Sequence, residues 1–207
     1  METTRLLIVG VGGQGVLSAA RNIGQAALNS GLDVRIGQIH GLSQRGGSVE
    51  STVVIGPGST GFVSRRQADV LLALEPLEAL RALSRIHENT LALVNRAPVT
   101  PFSQTLAGDS YPSVDQLLGP LAAAAGEVYG LDATALASES GSPRSLNAAM
   151  LGTLVGLDAL PLPADQMRSV LAAAGRPVFR PLNLAAFDAG RTAASQLEAI
   201  SGAAQNR

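Results

Sequence analysis

The 207-residue chain contains no cysteine. That excludes a disulfide, a thiolate nucleophile and ordinary iron–sulfur ligation by this chain. It contains no lysine either: all 15 basic residues are arginine. Schiff-base chemistry and a P-loop lysine are therefore excluded. With only His40 and His87, a histidine-rich zinc site is excluded as well. Aromatic residues make up 3% of the chain and tryptophan is absent, which leaves no platform for stacking bases. The net charge of −1 gives no electrostatic footprint for nucleic acid or an anionic membrane. No apolar run is long enough to span a bilayer. The short run after Arg5 breaks into glycines with no small-residue cleavage site, so no signal peptide is expected and the expected location is cytoplasmic. What remains is a chain that is 46% hydrophobic, able to bury a sizeable core in one domain over 1–207.

The most informative stretch is Arg5 to Ser18, RLLIVGVGGQGVLS. Leu6-Leu7-Ile8-Val9 is short and partly β-branched, as expected for a buried strand. Gly10, Gly12 and Gly15 then fit G-x-G-x-x-G between that strand and a helix predicted from Gln14 to Asn29. Glycines at such a turn let backbone N–H groups approach a ligand. The helix N-terminus that follows favours an anion. Gly10, Gly12, Gly13, Gln14 and Gly15 are therefore candidate binding residues, although a tight strand–helix turn alone would need the same glycines. An NAD site needs an acid at the end of the second strand. That strand, Val34 to Ile39, ends in Gln38 and His40, and Asp33 lies at its start.

A second polar, glycine-rich run follows: His40-Gly41-Leu42-Ser43-Gln44-Arg45-Gly46-Gly47-Ser48. Strand–helix–strand order predicts a parallel first pair with a right-handed crossover. Both glycine-rich loops then fall at the C-terminal ends of strands, where open α/β sheets place ligands. His40, Ser43, Gln44, Arg45, Gly46 and Gly47 join the candidate site, with Arg45 suited to phosphate or carboxylate. An ordinary solvated loop is the competing reading. Further strands are predicted at Val49–Ile55, Ala68–Leu74, Thr90–Val94 and Glu127–Leu131. Helices are predicted from Pro76 through Leu83 towards His87, and from Ser113 or Asp115 to Ala125. His87 is read as a surface residue near a helix C-terminus. The pattern is a doubly wound, Rossmann-like α/β core with a mostly parallel sheet over about 1–140. A helical extension follows over about 141–207, with helices at Ser145–Leu157, Pro163–Ala174 and Asn183–Ile200 and no further strand. The first of these is apolar nearly all round and must be buried by the domain or a partner.

Gly10-Val-Gly-Gly-Gln-Gly-Val16 followed by His40-Gly-Leu-Ser-Gln-Arg-Gly-Gly-Ser48 resembles the gamma module of 2-oxoacid:ferredoxin oxidoreductases. The stretches Gly141-Ser-Pro-Arg-Ser-Leu-Asn147 and Asn183-Leu-Ala-Ala-Phe-Asp188 resemble it too, nearest to the small (beta) subunits of indolepyruvate ferredoxin oxidoreductases. The resemblance implies a subunit without clusters or catalytic residues of its own, inactive alone. Its large partner subunit would carry thiamine diphosphate, Mg and the iron–sulfur clusters. The complex would convert an aryl pyruvate and coenzyme A to acyl-CoA and CO2 and reduce ferredoxin. The missing cysteines agree with that division, and no carboxylate is paired with a histidine at useful spacing. Thiamine carries the carbanion chemistry. Two other readings fit the same residues: a free-standing nucleotide- or flavin-binding α/β protein, and a purely structural subunit.

Overall fold

The computed structural model describes residues 2–40, 47–58, 60–99 and 111–200. Six strands form one sheet in the order β2-β3-β1-β4-β5-β6. The strands are β1 Thr4–Val11, β2 Val34–His40, β3 Ser48–Ile55, β4 Val70–Ala73, β5 Leu91–Asn95 and β6 Glu127–Leu131. β1, β4, β5 and β6 are joined by parallel ladders. β3 runs antiparallel to both β1 and β2. The predicted β1–β2 parallel pair is therefore corrected: the two strands point the same way, but β3 is inserted between them. The reason is connection length. The 41–47 link is far shorter than the dozen or more residues a parallel crossover needs, so β2 and β3 form an antiparallel pair.

β1 shows why the sheet is covered on both faces. Leu6 and Ile8 belong to one buried cluster, Leu7 and Val9 to another, as the period of two requires. Helices α1 (Val16–Asn29), α4 (Ala133–Glu139), α5 (Leu146–Gly156), α6 (Ala164–Ala173) and α7 (Arg180–Ala194) cover the first face. Helices α2 (Pro76–Arg81) and α3 (Val114–Ala124) cover the second. The helices after Ser142 thus pack back on the sheet, with Met150, Leu151 and Phe187 in the same cluster as Leu6 and Ile8. α5 is buried at nearly every position, as its all-round apolar sequence predicted. α7 lies against it at close range: a Cβ on Gly152 would stand 2.0 Å from the Phe187 carbonyl oxygen.

Sequence signals set most boundaries. Ser113 and Gln116 form a reciprocal capping box that starts α3. Gly31, at φ +73, follows the C-cap of α1. Three expectations change. α2 stops at Arg81, followed by a single 3-10 turn at Leu83–Arg85. His87 therefore sits beyond any helix, and its side chain is only 17% exposed, with Nε2 3.8 Å from an Asp69 oxygen. The last helix spans Arg180–Ala194; the chain then returns to the edge of the sheet, where Ile200 N–H donates to the Val128 carbonyl at 2.7 Å. Among the described residues no helix is long and apolar enough to cross a membrane.

Candidate functional site

The turn from Gly10 to Gly15 is held from within by Gln14. Its Oε1 accepts from Val11 N–H at 2.7 Å and its Nε2 donates to the Leu74 carbonyl at 2.9 Å. One side chain thus ties the end of β1 to the end of β4. It folds directly over Gly10, where a Cβ would meet Gln14 Oε1 at 2.9 Å and Leu74 Cβ at 3.1 Å. Gly13 and Gly15 adopt φ of +106 and +87, a region that side-chain-bearing residues rarely enter. α1 begins without a side-chain cap and without an acid in its first turn. Its first amides thus face the turn with no built-in anionic partner.

The second loop meets the first. Gly12 N–H donates to the Gly47 carbonyl at 2.8 Å, and Ser48 lies opposite Val11 in the β1–β3 register. His40 ends β2 opposite Val49. Ser43, Gln44, Arg45 and Gly46, with Gly41 and Leu42, lie outside the described residues. The described root of this loop is anchored on its other side by an acid, Glu78, that the sequence reading does not single out. Ser48 Oγ donates to Glu78 Oε2 at 2.6 Å. Glu78 is 3% exposed and also accepts from the Arg81 guanidinium. Glu75, 1% exposed, caps α2 by accepting from Glu78 N–H at 2.9 Å and also receives the Tyr111 hydroxyl. Burial, reinforced by the hydrogen bond to Glu75, pushes the Tyr111 phenol well above its usual range. The Glu75-Pro76 pair marks the start of α2 in the sequence, and the structure places it there.

The C-terminal helices supply a third wall. Asn147, near the start of α5, donates from Nδ2 to the Gly15 carbonyl at 2.6 Å. Ser145 Oγ donates to Asn183 Oδ1 at 2.8 Å. The three sequence stretches around Gly10, Ser142 and Asn183 thus converge on one turn. A cleft of about 310 Å³ opens on each side of it. One is bordered by Gly12, Leu17, Ser18 and Val49, next to the root of the second loop. The other is bordered by Ser18, Arg21, Asn22, Arg144, Asn147 and Asn183. Among the described residues, no group of three or more His, Asp or Glu could hold a metal ion.

Residues 5–193 match the family model described as pyruvate ferredoxin/flavodoxin oxidoreductase. The chain belongs to this family. It is 35% identical over 199 residues to the indolepyruvate oxidoreductase subunit IorB of Pyrococcus horikoshii, covering 95% of this chain and 98% of the relative. The IorB subunit of Methanothermobacter thermautotrophicus is 34% identical over 191 residues, covering 92% and 97%. Among solved structures, a keto/oxoacid ferredoxin oxidoreductase gamma subunit from Geobacter sulfurreducens superposes with a TM-score of 0.69 at 22% identity, covering 93% of this chain and 99% of that one. The 2-oxoglutarate:ferredoxin oxidoreductase of Magnetococcus marinus superposes with a TM-score of 0.71 at 21% identity over 97% of this chain, but over only 32% of its own much longer chain. The fold is thus that of the oxidoreductase gamma subunits, and the chain is a small subunit of a 2-oxoacid:ferredoxin oxidoreductase.

Proposed function

We propose that the chain is the small subunit of an indolepyruvate-type oxidoreductase, acting on an aryl pyruvate and coenzyme A with ferredoxin as electron acceptor. The observation that carries this reading is 35% identity along nearly the full length of both chains in the comparison with the IorB subunit. Thiamine diphosphate, Mg and the iron–sulfur clusters belong to a large partner subunit. The residues of this chain do not fit those groups: it has no cysteine and no cluster of three potential metal-ligating side chains among the described residues. Its own part is to bind and orient. The glycine turn, held rigid by Gln14, and the root of the second loop at Gly47 present backbone groups at the ligand-binding edge of the sheet. Arg45 supplies a fixed charge in the second loop for a coenzyme A phosphate or for the large subunit.

The test is to co-express the chain with a thiamine-binding partner subunit and assay aryl pyruvates against pyruvate and 2-oxoglutarate. The complex should reduce ferredoxin with coenzyme A and prefer an aryl pyruvate; the chain alone should be colourless and inactive. Arg45→Ala should raise the KM for coenzyme A about tenfold to a hundredfold if it holds a phosphate, or abolish co-purification if it braces the partner. Turnover by the isolated chain would refute the proposal, as would a complex that prefers pyruvate.

A further inference from the structure

The cleft between α1 and the start of α5 has a charge asymmetry. The chain as a whole carries 16 acids against 15 arginines. Yet the residues bordering this cleft include two arginines, three asparagines and a serine, and no acid. Ser18, Arg21 and Asn22 lie at i, i+3 and i+4 of α1 and so share one helix face. Arg144 and Asn147 approach from the other side, three residues apart. Among the described residues neither Arg21 nor Arg144 enters an ion pair, while Arg5, Arg66, Arg81, Arg85, Arg96 and Arg168 all do. Asn147 ties this wall to the glycine turn. Its Nδ2 is fixed on Gly15, while its Oδ1 is buried with no donor. Leu171 and Ala174 give one wall an apolar surface.

We infer that this cleft is a binding site for a phosphate monoester. Two planar guanidinium forks match the oxygens of a phosphate dianion. The apolar wall of Leu171 and Ala174 suits the small organic group attached to it. At about 310 Å³ the cleft lies at the lower end of the range for small-molecule sites. The phosphate comes either from a free metabolite ester or from the phosphate of coenzyme A. This assignment is independent of Arg45, which belongs to the second glycine-rich run of the sequence.

The test is calorimetric titration of the full chain at low salt with AMP as the phosphate monoester and adenosine as the same group without it. AMP should give a saturable heat and adenosine none. Arg21→Ala and Arg144→Ala should each weaken AMP binding by roughly tenfold or more, and Arg144→Lys should not restore it. In the complex with the large subunit, coenzyme A and dephospho-coenzyme A separate the two sources. A KM that rises in Arg144→Ala for coenzyme A only assigns the phosphate to coenzyme A; unchanged values for both, with AMP binding intact in the wild type, assign it to a free ester. No saturable heat with AMP overturns the inference, as does an affinity unchanged in the Arg21→Ala/Arg144→Ala double variant. If coenzyme A kinetics then still depend on Arg45, the cleft assignment fails while the proposed function stands.

Discussion

Two glycines buried in helices should respond in opposite ways to the same added methyl group. Gly152 in α5 faces the backbone of α7: a Cβ there would stand 2.0 Å from the Phe187 carbonyl oxygen and 2.8 Å from its carbon. Ordinary contact begins at 3.4 Å, so the deficit is about 1.4 Å. Backbone cannot rotate aside, and Gly190 on the facing helix is locked in the same way, with a Cβ 2.1 Å from the Ala149 carbonyl oxygen. Gly152→Ala must therefore separate two helices. Overpacking of this kind costs about 1–3 kcal/mol or more, at the upper end here because no flexible atom can yield. Alanine returns up to about 1 kcal/mol through helix propensity. A net loss of about 2 kcal/mol follows, or roughly 4–8 °C in Tm for a chain of this size. Gly24 in α1 also has a close neighbour, at 2.6 Å, but that atom is Cδ1 of Ile36. Ile36 is 40% exposed, so its terminal methyl can swing away. Gly24→Ala should be neutral or stabilising by about 0.5–1 kcal/mol. Urea and thermal unfolding of the two variants read the difference directly. A Gly152→Ala protein within about 0.5 kcal/mol of the wild type would refute the reasoning, since the helices could not then be this close.

Gln14→Ala should leave Val11 N–H without its partner, and the Leu74 carbonyl with only its second donor, Asn95 Nδ2 at 3.1 Å; the cost should be about 1–3 kcal/mol in urea unfolding, and a change below about 0.5 kcal/mol would show that water replaces the brace. Tyr111 should titrate well above the usual phenol range when followed by ultraviolet absorbance, because burial and Glu75 both oppose the phenolate. A folded-state value above the unfolded one gives stability that is complete below about pH 10 and is lost as the pH rises towards the folded value. Tyr111→Phe should flatten that alkaline loss, and an unchanged alkaline limb would disprove the assignment.

Much of the fold could be read from local sequence because the deciding forces were local. The glycine turn needs positive φ at Gly13 and Gly15, and Ser113 with Gln116 announces its capping box. β6 was expected at Glu127–Leu131 and lies there. Other features depend on distant partners and left weaker marks. The α2 pattern continues in apolar spacing through Leu83, but the chain tightens into a 3-10 turn whose Arg85 pairs with Glu50 on β3 at 2.9 Å. Periodicity cannot report such a contact. Helix α4 leaves no legible pattern in the sequence, because Asp132 caps only seven residues, too few to show a repeat. The sequence offers the donors of Ser43, Gln44 and Arg45, but not Glu78, the acid that holds the root of that loop through Ser48. Buried acids carry no periodic signal and are recognised only by their partners.

The inserted strand matters most for how the site is built. Had β2 paired directly with β1, the chain leaving His40 would have begun a crossover and carried the second loop away from the glycine turn. Instead β3 returns at once along β1, with Ser48 opposite Val11. The antiparallel register delivers the end of the second loop to the first, where Gly12 and Gly47 join. Ser48, alternating to the α2 side of the sheet, reaches Glu78. Gly12 of the first turn and Gly47 at the root of the second loop are thereby fixed side by side by backbone pairing. The connection length between His40 and Ser48 was the available sign of this arrangement: seven residues can close an antiparallel pair but cannot make a parallel crossover.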